Sequence, residues 1–324
     1  MNPTLIPGKF TYIIIGGGGF IGRALCHYLY NEAVIVIGRS EEHQPAGTEK
    51  YYSVQEYTLD EIAAFLGGTS NIIIDLSYTS VSNTNILDPG KEFSDNLNLI
   101  VDNLRFARNV KTGKYIYISS GGTVYGKTND ERINELHATD PISNYGVTKL
   151  ASEKYVSMFC SLNKISFNIL RPSNVYGPWQ IPFRGQGIVA TALGAAYNNS
   201  PVKIYGKGDN IRDYVFIDDF LQWLMAVIDR GENGEIYNAG SGKGYSIADI
   251  LSIIQEVLAG EHQLNLQYLS ERPFDVKRNV LDNKKIIAAT GIAVSTGLED
   301  GIKKTWDWIK AFMAVKKLEA ELSK

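Results

Sequence analysis

The chain has 324 residues, 44% hydrophobic and 21% charged, with a formal net charge of −3. That composition is ordinary for a globular protein with a sizeable core in one large domain or two ordinary ones. It supplies no basic field for a nucleic-acid backbone, and no run approaches the ~20 apolar residues that span a bilayer.

In chain order, short runs rich in β-branched and aromatic residues predict strands at 12–15, 34–37, 72–76, 115–118 and 167–170. Between them, apolar residues at helical spacing predict helices over 20–30, 92–109 and 143–159. This alternation implies an α/β fold, a Rossmann-type doubly wound parallel sheet with helices on both faces. Glycine and proline cluster over 177–208, where loops and a short helix are expected. Runs at 214–217 and 235–238 read as strands again, and the tail from 246 is largely helical. The reading divides the chain into a dinucleotide-binding domain, 1–174 with 213–239 returning to the sheet, and a smaller, mostly helical C-terminal substrate-binding region, 175–324.

Cys26 and Cys160 lie in apolar helical contexts and read as reduced core thiols of a cytoplasmic protein. The opening MNPTLIPGKF lacks the basic and apolar runs of a signal peptide. His27, His43, His137 and His262 are scattered without ligand spacing, so no metal is expected.

Three motifs carry chemistry. IIIGGGGFIGRAL follows a predicted strand and opens a predicted helix, with Gly16, Gly19 and Gly22 in G-x-x-G-x-x-G spacing. In that context backbone amides and the helix N-terminus, with Phe20 and Ile21 in its first turn, receive a pyrophosphate. Some 22 residues after Gly16, an NAD site carries an acid for the ribose hydroxyls; Gly38 stands there, followed by Arg39 and Ser40. A guanidinium beside a hydroxyl suits a 2′-phosphate, so NADP is favoured over NAD, although Arg39 also reads as a plain loop charge. Finally, NYGVTK puts Tyr145 and Lys149 four residues apart on one helix face. A phenol of ordinary pKa about 10 must fall by roughly 3 to act as a base at neutral pH, about 4 kcal/mol. A nearby ammonium and an oxidised nicotinamide act in that direction.

Together with ISSGGTVYG, LRPSNVYGPWQ, IYGKGDNIRDYVFIDDF, YNAGSG and RPFDVKRNVLDNKKI, these motifs resemble the extended short-chain dehydrogenase/reductases, specifically the nucleotide-sugar epimerase/dehydratase group. The resemblance runs over nearly the whole chain. It implies that Tyr145 is the acid/base and that Lys149 holds the nicotinamide ribose and tunes Tyr145. It places Leu76 and Asn96 on the cofactor side and Tyr78 on the edge facing the sugar. Asn174 is expected to contact diphosphate or sugar, Arg212 and Arg272 to grip the diphosphate, Tyr205 to lie against the nucleobase, and Asp275 to help close the nucleoside pocket. Guanidinium forks on a diphosphate make independent sense. A nucleotide-diphosphate sugar is the implied substrate, polysaccharide biosynthesis the implied setting, and a homodimer through helices around 92–109 and 143–159 the implied assembly.

Two departures stand out. The group's catalytic Ser/Thr position is Gly121 here, so its hydroxyl comes from Thr123, the preferred reading, or from Ser120, or the substrate manages with Tyr145 alone. The strand ending Asp75-Leu76-Ser77-Tyr78 replaces a frequent His-Leu-Ala. Two reactions stay open: a 4-epimerase acting by transient oxidation at hexose C4, and an NADPH-dependent reductase of a nucleotide-linked 4-keto-6-deoxy sugar. A non-catalytic dinucleotide sensor is countered by the intact Tyr145/Lys149 pair. A 4,6-dehydratase is countered by Gly122-Thr123, which offers no carboxylate.

Overall fold

The computed structural model describes residues 10–39, 50–66, 71–79, 88–128, 130–271 and 276–322. Its first half alternates β1 (Thr11–Ile15), α1 (Phe20–Tyr28), β2 (Val34–Gly38), β3 (Lys50–Ser53), α2 (Leu59–Leu66), β4 (Asn71–Asp75), α3 (Pro89–Asn109), β5 (Lys114–Ile118), α4 (Asn144–Leu162) and β6 (Ser166–Pro172). Then come β7 (Asn174–Tyr176), α5 (Ile188–Tyr197), β8 (Pro201–Tyr205), β9 (Ile211–Phe216), α6 (Ile217–Arg230), β10 (Ile236–Ala239), β11 (Gly244–Ser246) and α7 (Ile247–Val257). The chain ends with β12 (Asn265–Leu269), β13 (Arg278–Asn279), α8 (Lys284–Thr290) and α9 (Leu298–Leu322).

One seven-stranded sheet in the order β10-β6-β5-β4-β1-β2-β3 forms the centre, and every pairing in it is parallel. Its strands are apolar on both faces because both are covered. Tyr12 and Ile14 of β1 point into a core shared with α1, α5 and α6, whereas Ile13 and Ile15 point into a second core with α2, α3 and α4. The helices begin where their sequences say they should. Asp88 accepts the Lys91 N–H (3.0 Å) ahead of Pro89 on α3, and Ser143 Oγ accepts the Gly146 N–H (3.1 Å) on α4.

The expected doubly wound sheet is present, but the second half departs from the reading in one respect. Of the segment 213–239 expected to return to the sheet, only β10 does so. β9 instead centres a small sheet with β7, β11 and β13. Residue 217, read as strand, opens α6. β8 pairs with β12 in a two-stranded ribbon. Among the described residues no helix is long and apolar enough to cross a membrane.

Candidate active site

The glycine loop leaves β1 in a conformation only glycine adopts easily. Gly16 has φ +82°, and a Cβ there would lie 2.9 Å from the Ser77 backbone. A Cβ on Gly22 would lie 2.5 Å from Gly17 Cα, so α1 packs directly on the loop. Gly19 caps α1 without a side-chain bond, and the first turn, with Phe20 and Ile21, holds no acid. Arg23 Nε donates to the Gly18 carbonyl (2.9 Å) and braces the loop. Close backbone approach with unopposed helix N–H groups fits a dinucleotide pyrophosphate. Leu76 is pinned beside the loop by its N–H on the Ile15 carbonyl (2.9 Å). Arg39 is exposed at the end of β2, and Ser40 lies outside the described residues.

Tyr145 and Lys149 stand in the first turns of α4 against the end of β5. Lys149 Nζ donates to the Ile118 carbonyl (2.9 Å). Gly146 packs so closely that a Cβ there would be 2.7 Å from the Thr123 carbonyl, which brings the Tyr145 turn onto ISSGGTVYG. Thr123 Oγ1 is buried with no hydrogen-bond partner among the described residues. A buried hydroxyl without a partner is costly. Ser120 is half-buried, and its carbonyl accepts the N–H groups of Thr123 and Val124 (3.3 and 3.2 Å).

Gly121 has a packing explanation. A Cβ there would lie 2.5 Å from Leu281 Cδ1 and 2.9 Å from the Arg171 carbonyl oxygen. Its own carbonyl accepts from Asn279 Nδ2 (3.1 Å) and its N–H donates to Pro172 O (2.8 Å). The space that a serine side chain would occupy belongs to Leu281.

Electrostatics run against the simplest expectation for Tyr145. Burial first, and the Glu92 carboxylate second, push its phenol above the ordinary value. Burial pushes Lys149 down to about 8, opposed by the carboxylates of Asp75, Glu153 and Glu92. The Tyr78 ring meets Tyr145 edge-on at 4.8 Å and carries the Lys149 ammonium 4.4 Å from its centroid. Asn96 accepts the Thr79 N–H (2.9 Å) and donates to the Glu92 carbonyl (2.9 Å), fixing the start of the β4–α3 connection.

Of the remaining expected residues, Asn174 and Arg212 share the small sheet. Asn174 on β7 donates to the Asp213 carbonyl (2.9 Å), and Arg212 on β9 donates to the Ile211 carbonyl (2.9 Å). Tyr205 ends β8. Arg272 and Asp275 lie outside the described residues. Gly121 is tied to the small sheet through Pro172, just before Asn174, and through Asn279, whose backbone pairs in register with Arg212.

Sequence reasoning missed several buried polar residues. Asp75 accepts from Ser77 N (2.9 Å), Ser77 Oγ (2.6 Å), Asn103 Nδ2 (2.9 Å) and the Tyr115 hydroxyl. Glu153 holds Arg171 bidentately (2.6 and 2.9 Å) and accepts from Ser119 Oγ. Asp213 accepts from Ser173, Ser241, Gly242 and Leu281. Glu92 was detectable only as the residue one turn before Asn96 on the same helix face.

Residues 12–240 match the NAD dependent epimerase/dehydratase family. A putative UDP-glucose 4-epimerase of Methanocaldococcus jannaschii is 29% identical over 310 residues, covering 92% of this chain and 98% of the relative. A dTDP-4-dehydro-6-deoxyglucose reductase of Escherichia coli is 28% identical over 313 residues, 91% of this chain and 96% of that one. The solved Thermus thermophilus UDP-glucose 4-epimerase, a complex with NAD, superposes with a TM-score of 0.83 at 26% identity, over 93% of this chain and 99% of that one. With the glycine cradle, the Tyr145/Lys149 pair and a match across most of its length, the chain belongs to the NAD dependent epimerase/dehydratase family of enzymes.

Proposed function

We propose that this enzyme is a nucleotide-sugar 4-epimerase. The observation that carries the reading is the convergence of Tyr145, Lys149 and the unpartnered Thr123 hydroxyl at the carboxyl edge of the sheet, beside the glycine cradle. When bound, the dinucleotide would supply reversible two-electron oxidation at the sugar C4. Tyr145 takes the C4 hydroxyl proton on oxidation and returns it after the 4-keto sugar has turned over. Thr123 hydrogen-bonds the C4 oxygen, with Ser120 behind it. Lys149 holds the nicotinamide ribose and, as an ammonium, stabilises the Tyr145 phenolate. Asn174, Tyr205, Arg212, Arg272 and Asp275 are proposed to hold the nucleoside diphosphate. Incubation with UDP-, dTDP- and GDP-sugars and their 4-keto forms, with and without NADPH and read by NMR, tests this. Interconversion of C4 epimers without added reductant, lost in Tyr145→Phe, is the expected result.

A second reading, reduction of a nucleotide-linked 4-keto-6-deoxy sugar, is favoured by Arg39 and by the likeness to the reductase. A side chain at 38 would run into the Tyr51 hydroxyl, so no acid stands at the end of β2, and the neighbouring Arg39 is exposed. Both features favour NADP over NAD. Net consumption of NADPH with one product establishes that reading instead.

We also propose a homodimer. Phe93 on α3 and Val147, Met158 and Leu162 on α4 are exposed apolar residues, Met158 at 52% and Leu162 at 76%. Paired α3 and α4 faces cover them. A cytoplasmic setting accords with the free, buried thiols Cys26 and Cys160.

A further inference from the structure

We propose that Glu92 is a positioning residue of this site, holding through Tyr78 the brace for the Tyr145 ring and adding one of the counter-charges around the Lys149 ammonium. The inference rests on the epimerase reading for its catalytic consequence and on geometry for its substance. Tyr78 stands at the end of the β4 connection and donates its hydroxyl to Glu92 Oε1 (2.9 Å). The same ring meets Tyr145 edge-on at 4.8 Å and faces the Lys149 ammonium at 4.4 Å. One side chain thus touches the acid/base, its lysine partner and a carboxylate 6% exposed.

The other charges around this point are differently engaged. From β4, Asp75 accepts four hydrogen bonds from Ser77, Asn103 and Tyr115. From α4, Glu153 is bound to Arg171 and Ser119. From β5, Tyr117 presents its ring to Lys149 at 4.9 Å, a neutral face. Glu92 is the carboxylate that reaches Lys149 and Tyr145 through a shared side chain. Its place in the first turn of α3 lets the helix N-terminus stabilise its charge. Burial works against the Lys149 ammonium; Asp75, then Glu153, then Glu92 work for it, Glu92 alone among them being joined to it through a ring that also touches Tyr145.

The test begins without substrate or cofactor. The Lys149 side chain is titrated by NMR in the full-length protein, assigned by its loss in Lys149→Met. In Glu92→Gln the midpoint moves downward from about 8 by roughly half a pH unit, less than the loss of a directly contacting opposite charge because Asp75 and Glu153 remain. In Tyr78→Phe it moves the same way by less. The kcat/KM profile for the sugar loses its alkaline side earlier in both variants, and Tyr78→Phe lowers kcat several-fold with KM within about twofold. Should Glu92→Gln fail to fold, Tyr78→Phe carries the same measurements. A midpoint unchanged in a natively melting variant overturns the proposal and leaves Glu92 a helix-terminal charge. A shifted midpoint in a protein that epimerises no sugar leaves the proposal standing and overturns the reaction assigned above.

Discussion

Restoring a serine at 121, where the family's catalytic hydroxyl is expected, should harm this protein. An introduced Cβ would lie 2.5 Å from Leu281 Cδ1 and 2.9 Å from the Arg171 carbonyl, against an optimal separation near 3.5–4.0 Å between carbons. Leu281 is fully buried, and its N–H is held by Asp213 (3.2 Å), so its backbone does not retreat. Its side chain has to leave its rotamer, about 0.5–1.5 kcal/mol, and the carbonyl contact adds strain. Together these predict about 1–3 kcal/mol of destabilisation, the usual cost of overpacking. Leu281→Ala alone should cost about 2–5 kcal/mol through its cavity. The double variant should be more stable than the sum of the two by about 1 kcal/mol, because each change relieves the other. Urea unfolding of all four proteins measures the cycle. Additive losses, or a Gly121→Ser protein within about 0.5 kcal/mol of wild type, would refute the packing account of the glycine.

Three further outcomes are expected. With Lys149 titrating near 8, dinucleotide affinity should be full below that pH and fall as the ammonium is lost above it. The lysine binds its proton more weakly folded than unfolded, so its contribution to stability rises with pH from 8 towards its ordinary value; calorimetric titration and thermal melts across that window check the two signs, and Lys149→Met flattens both. Arg171→Met leaves Glu153 charged and buried, which should cost about 3–5 kcal/mol in denaturant unfolding, whereas removing both charges costs less. Gly22→Val drives a side chain into Gly17, and equilibrium dialysis should find dinucleotide binding lost; retained binding would mean that the loop is not the pyrophosphate cradle.

The elements around the site were legible because their signals are local. A glycine triplet between an apolar run and an amphipathic one announces β1, the loop and α1, and a Tyr-x-x-x-Lys spacing places two side chains on one face of α4 wherever that helix lies. Strand β3, with its mixed KYYS pattern, carries no such signal: it is a strand because the β2 edge offers it partners. Within 213–239, β10 returns to the main sheet as expected, but β9 joins the small sheet instead, since an apolar run does not say which sheet will accept its N–H groups.

The sequence by itself determined the cradle, the Tyr145/Lys149 pair and the absence of a hydroxyl at 121. Periodicity and residue type are properties of neighbouring positions, and those features need nothing else. Only the tertiary structure decided why residue 121 is glycine, which hydroxyl stands unpartnered, and that Glu92 faces Lys149 across Tyr78. Each depends on side chains far apart in sequence meeting in one small volume, Leu281 against Gly121 and Glu92 beside Tyr145, where burial sets which charges and contacts prevail.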